Sequence, residues 1–170
     1  QVPGGGHLLI VPINHYPTFS TIPADAEKGV VDEIERYAHY HGPCSLSWLM
    51  SCSSYKAALA KLYGKHGAVP VGFEVGRLSA KGGHAHVQMV PVPATFKDKI
   101  EETFLKEGAR LGIDFEADPE SALEACHGGK GSYFRVDLPN GKKMVHVMKD
   151  NVPFSIQFGR CVPIFSDCSL

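Results

Sequence analysis

The sequence predicts an α+β fold built on an antiparallel sheet, and three observations predict it. "SYFRVDLPNGKKMVHVM" carries two alternating runs around Pro139-Asn140-Gly141, the pattern of a hairpin. "AVPVGFEVGRL" and "HAHVQMVPV" are two more strand-like runs, joined across Lys81-Gly82-Gly83. Helical and strand-like stretches otherwise follow one another in irregular order, which argues against the regular alternation of a parallel sheet.

The elements follow in chain order. "HLLIVPINHYPTF" opens as a short buried strand, His7 to Val11, which Pro12 breaks and Asn14 turns. "PADAEKGVVDEIERYAHYHG" predicts a helix with Asp25 as N-cap and Val30, Val31, Ile34, Tyr37 and Ala38 as its apolar stripe; Gly42-Pro43 stops it. "SYKAALAKLYGKHG" predicts a second helix, capped near Ser53 or Ser54 and ended at Gly64. Beyond the first strand pair, "TFKDKIEETFLKEGARLG" is amphipathic, with Phe96, Ile100, Phe104 and Leu111 on or near one face. "DFEADPESALEACHGGKG" reads as a glycine-punctuated loop. No internal repeat or low-complexity segment interrupts the chain.

Composition bounds the function. The 170 residues suit one domain or a domain with a substantial appendage, and 44% hydrophobic residues are enough for a real core. A formal net charge of -1 gives no bulk attraction to nucleic acid, so RNA or nucleotide binding needs a local patch. No apolar run approaches a membrane span, so no membrane partner is expected, and nothing at the start reads as a signal peptide. The five cysteines are odd in number and lack a C-x-x-C pair. That argues against a disulfide framework or a self-contained cysteine zinc site, and for a reducing, intracellular setting.

The chemistry concentrates in "GGHAHVQMVPVP". In a strand, residues two apart share a face, so His84, His86 and Gln88 form a polar row opposite Ala85, Val87 and Met89. A half-exposed strand meeting solvent gives such a row without any function. As a metal site it is short of ligands: zinc wants three or four, and only His7 and His15 are evident additions. The large barrel that carries another type of H-x-H does not fit in 170 residues. Phosphoryl chemistry suits the row better, because a neutral imidazole can attack an α-phosphate while its neighbours hold the oxygens.

"H-φ-H-φ-Q-φ-φ" resembles the signature of the histidine-triad (HIT) superfamily in the variant with glutamine third, and "HLLIVPINH" resembles its upstream histidine-bearing segment. Four longer strings, "HLLIVPINHYPTF", "FEVGRLSAKGGHAHVQMVPVP", "SYFRVDLPNG" and "PFSIQFGR", resemble in that order the C-terminal region of the CwfJ (Cwf19-like) family. The resemblance runs from His7 to Arg160. It implies a HIT-like domain over residues 1–95, with a CwfJ-type C-terminal α/β segment, 96–170, packed on it. It also implies roles: His86 as the nucleophile where the site is active, His84 as its support, Gln88 on the phosphate, and His7 and His15 lining the pocket. Arg77 and Lys81 flank the row and would meet RNA phosphates.

The resemblance further implies a nuclear accessory module of splicing and intron-lariat turnover, with RNA or a nucleotide and splicing or lariat-debranching proteins as partners. A nucleotidyl transferase or nucleotide-anhydride enzyme is the alternative, and a phosphate-independent scaffold a third. Catalysis stays open. Gln88 can donate a hydrogen bond to a phosphate oxygen but cannot deliver a proton to a leaving alkoxide, so a phosphoanhydride suits this site better than an RNA linkage.

Two departures bear on this. The family carries a C-x-x-C strand upstream of the position of His7, which this sequence does not show. A first strand is therefore expected to be missing from the sheet, and neither zinc nor another cofactor is expected. After Arg160, "CVPIFSDCSL" leaves the family pattern. Further basic residues, Lys130, Arg135, Lys142, Lys143 and Arg160, lie in the second half. Tyr16, Phe19, Tyr133 and Phe134 are candidates to stack on bases, while Phe73 and Phe158 are expected in the core.

Overall fold

A five-stranded antiparallel sheet, in the order β1-β3-β2-β4-β5, forms the centre of the protein. The computed structural model describes residues 6–22, 48–77, 83–127, 130–149 and 152–165. The strands are β1 (Leu8–Ile10), β2 (Ala68–Gly76), β3 (Val87–Pro93), β4 (Ser132–Asp137) and β5 (Lys143–Met148). The helices are α1 (Trp48–Gly64), α2 (Ile100–Arg110), α3 (Pro119–Cys126) and α4 (Phe158–Phe165). The helix expected over 23–42 lies outside the described residues, as do residues 78–82, with Lys81 and Gly82 of the expected turn.

Alternation decides which layer each strand residue enters. Val71 and Phe73 of β2 and Val136 of β4 face one side, where they join Val92, Ile100, Phe104, Phe134, Phe158 and Val162 in the main apolar core. Glu74, Arg135 and Asp137 face the other side, where Lys56 of α1 pairs with Asp137. Phe73 and Phe158 are core residues, as their sequence context suggests. Because β4 pairs with β2, sheet and core run without a break across residue 95.

The hairpin of β4 and β5 forms around its Pro-Asn-Gly turn. Gly141 adopts a positive φ of 84°, and Asn140 Oδ1 accepts the Lys142 N–H at 3.0 Å. Four local expectations need correction. α1 starts at Trp48, so Ser53 and Ser54, read as its cap, lie inside the helix. The stretch read as a loop contains α3, whose start was legible: Asp118 caps it by accepting the Ser121 N–H, and Pro119 occupies the first turn. The amphipathic stretch after Pro93 splits into a 3-10 segment, Ala94–Lys99, and then α2, and Leu111 lies beyond the helix, half exposed. The first strand is neither long nor buried. Leu8 and Leu9 are 43% and 57% exposed, because β1 is an edge strand that proline ends almost at once.

Candidate phosphate site

The histidine row begins where β3 begins. Gln88 lies on the strand, between Leu9 of β1 and Phe73 of β2 in register, and only 5% of it is exposed. His84 and His86 precede the strand, which corrects the expectation that all three stand on a regular ladder. The reason is upstream: β1 stops at Ile10, so residues 84–86 are held by the irregular segment after it. The Ala85 N–H donates to the Tyr16 carbonyl at 2.7 Å, and His84 Nε2 lies 2.9 Å from the Pro12 carbonyl.

These contacts fix two imidazole tautomers. His86 Nδ1 lies 2.9 Å from the His84 carbonyl, which can only accept, so Nδ1 carries the proton. Nε2 of the neutral ring is then left with its lone pair, and Gln88 Nε2 sits 3.5 Å from it. By the same argument His84 is protonated on Nε2. Its ring is tilted 52° against that of His15, with centroids 4.9 Å apart. His84 and His15 are exposed, whereas His86 is half-buried.

His7, just before β1, stacks towards Phe73 with centroids 6.5 Å apart. Burial pulls its imidazole below the usual range of about 6.5, the Arg160 guanidinium lowers it further, and Gln88 works the other way. Gln88 Oε1 is near enough to His7 to favour its charged form, yet it is buried without a donor at hydrogen-bonding geometry. The fold thus gathers His7, His86 and Gln88, with His84 and His15 paired alongside. Arg77 is exposed just past β2, and its carbonyl borders Gly83, the entry to the row. Among the described residues, no group of three or more His, Cys, Asp or Glu is placed to hold a metal ion.

The other basic and aromatic candidates divide. Arg135 pairs with Glu74 and Asp137, Lys142 with Glu101, and Lys143 with Glu120. Arg77, Lys130 and Arg160 are exposed and make no ion pair among the described residues. Tyr133 and Phe134 are 1% and 0% exposed, which removes both as platforms for bases; Tyr16 and Phe19 are half-buried.

Glu74 belongs to the site's support, and the sequence reading passed over it. Its Oε1 accepts the Phe19 N–H and the Tyr133 hydroxyl, both at 2.9 Å, and its side chain is 1% exposed. It thereby anchors residues 18–21, the continuation of the segment that holds His84 and Ala85. The signal was a lone carboxylate in the apolar run "VPVGFEVG".

Comparison with known proteins agrees with the blocks in the sequence. Residues 43–105 match the family described as protein similar to CwfJ C-terminal. Relatives extend the likeness along the chain. CWF19-like protein mug161 of Schizosaccharomyces pombe is 30% identical over 155 residues, which are 91% of this chain and 23% of that protein. CWF19-like protein 1 of Homo sapiens is 30% identical over 157 residues, covering 91% and 24%. Zinc finger CCCH domain-containing protein 59 of Oryza sativa subsp. japonica is 30% identical over 162 residues, covering 91% and 22%. These matches support the CwfJ family. The chain spans about a quarter of the length of the curated relatives it matches.

Proposed function

We propose that this CwfJ-type region is an RNA-processing accessory module that recognises phosphate through a HIT-like pocket formed by His7, His86 and Gln88. The CwfJ relatives support a splicing-related, nuclear role, and intron-lariat RNA and the proteins that debranch it are the partners of this reading. In this reading residues 1–95 carry the pocket, and the segment from 96 on extends the same sheet through β4 and β5. The carrying observation is the orientation of the His86 ring: with Nδ1 committed to the His84 carbonyl, Nε2 is the atom turned to the site beside the Gln88 amide, and a ring carrying both protons donates from it to a phosphate oxygen.

Recognition is favoured over turnover of RNA because Gln88 has no proton to give a departing alkoxide. His84 and His15 support the rim of the pocket, and Arg77 and Lys81 meet the RNA backbone beyond it. The test is titration of the chain with adenosine monophosphate while the histidine imidazole resonances are followed by NMR. His7 and His86 should move first and His146 not at all. Shifts confined to residues outside the pocket would overturn the reading. Incubation with a nucleoside anhydride should leave no acid-labile adduct on His86, and an adduct would mark a transferase instead.

A further inference from the structure

The C-terminal helix reaches the same face of the sheet. Gly159 of α4 lies so close to the Phe73 ring that a Cβ there would sit 2.4 Å from it. Phe73 is the β2 neighbour of Gln88 and the ring on which His7 stacks. The next residue, Arg160, is exposed, and its charge acts on His7. Among the described residues, the groups that act on His7 there, Arg160, His86 and Gln88, are cationic, potentially cationic or neutral, and none of them is a carboxylate. Like charges gathered without a counter-charge disfavour one another until an anion arrives.

We infer that Arg160, delivered by the helix after the second hairpin, is a phosphate ligand of the His7–His86–Gln88 pocket. This rests on the phosphate reading above and deepens it. A guanidinium binds phosphate oxygens with a fork of parallel N–H donors, which imidazoles and an amide cannot supply. It also gives the C-terminal segment a part in binding: without α4, the pocket loses a permanently charged donor. Gln88 fits the same scheme. Its Nε2 lies 3.5 Å from His86 Nε2, so the NH2 that faces the His86 ring is the donor it offers a phosphate seated there.

The experiment compares the whole chain with Arg160→Ala, Arg160→Lys and Lys106→Ala, each titrated with adenosine monophosphate and with adenosine. Removing a charged hydrogen-bond partner should weaken monophosphate binding about tenfold to a hundredfold. Lysine, a point charge without the fork, should recover part of the loss. Lys106→Ala, on the exposed face of α2, should bind like the parent chain, and adenosine should bind all four weakly and alike. Thermal melts of the four proteins show whether the fold is intact, and Arg160→Lys carries the comparison if Arg160→Ala melts early. Equal monophosphate affinity with and without the guanidinium would overturn the role of Arg160 and leave the pocket standing. Failure of the parent chain to bind the monophosphate at His7 and His86 would overturn both.

Discussion

The two faces of the sheet use the same strands for opposite ends. On one face, Val71, Phe73 and Val136 build an apolar layer that changes, at Gln88 and the residues before it, into imidazole and amide. On the other, Glu74, Arg135, Asp137 and Lys56 form an ionic network under α1. One residue of offset along β2 separates the two, since Phe73 and Glu74 are neighbours in sequence. The apolar face positions Gln88 and His7 directly, through packing on Phe73. The ionic face acts at a distance, by fastening the segment that holds His84. The comparison teaches that the site depends on both faces but in different currencies: packing volume on one, charge balance on the other.

The largest effect should come from the apolar face. Phe73→Ala opens a cavity beneath Gln88, His7 and Gly159 at a position 0% exposed. A fully buried phenylalanine truncated to alanine costs about 3–5 kcal/mol. Urea denaturation should show that loss, with monophosphate affinity falling at the same time. Unchanged stability would mean that the two halves of the core do not bear on each other through this ring.

Glu74→Ala tests the ionic face and should cost about 3 kcal/mol, since it removes the buried carboxylate that Arg135 pairs with and that accepts from the Phe19 N–H and the Tyr133 hydroxyl. It differs from Phe73→Ala in where it should be felt. His84 and His15 resonances should shift, while His7, stacked on the opposite face, should move less. Equal perturbation of all the histidines would erase the distinction between the faces.

Much of this was legible in the sequence, and the rest failed for identifiable reasons. Alternation gave the pairing of β2 with β3 and the β4–β5 hairpin, because a period of two with turn residues between is a local signal. The row from His84 to Gln88 was legible for the same reason. Its departure from the strand was not, since it depends on Pro12 and Tyr16 more than sixty residues away. α3 was missed because the glycines after it outweighed the Asp118-Pro119 start. The burial of Tyr133 and the work of Glu74 follow from β4 pairing with β2, a register the local pattern does not encode.

A smaller effect separates the faces by pH. Burial pushes the Glu74 carboxyl up, against the pull of Arg135 and its two hydrogen bonds. A carboxyl raised in the folded state contributes stability that is complete below its unfolded value of about 4.5 and is lost as pH rises through the folded one. Asp137 is the reverse. Burial opposes its charge, but Arg135 and Lys56 outweigh that and hold it below the usual range of about 3.8. Its contribution is present above 3.8 and lost as pH falls through the folded value. Urea midpoints from pH 3 to pH 8 should therefore fall less steeply on the neutral side in Glu74→Gln, and less steeply on the acid side in Asp137→Asn. Parallel curves for both variants and the parent would place the pH dependence elsewhere.

The smallest effect concerns a single proton and needs no ligand. His7 is depressed by burial first and by Arg160 second, while Gln88 raises it. Followed by proton NMR, the imidazole of His7 should titrate below 6.5 in the parent chain. Arg160→Ala removes a lowering influence, so its midpoint should rise. Gln88→Ala removes the raising one, so its midpoint should fall further. The two variants differ in sign, which a general loosening of the fold cannot produce, since added solvent would move both towards the free imidazole value. Opposite shifts would place the α4 guanidinium and the β3 amide on the same ring, at the point where the apolar face of the sheet turns polar. Shifts of one sign would mean that His7 senses only its burial by Phe73, and that Arg160 stands too far away to share its ligand.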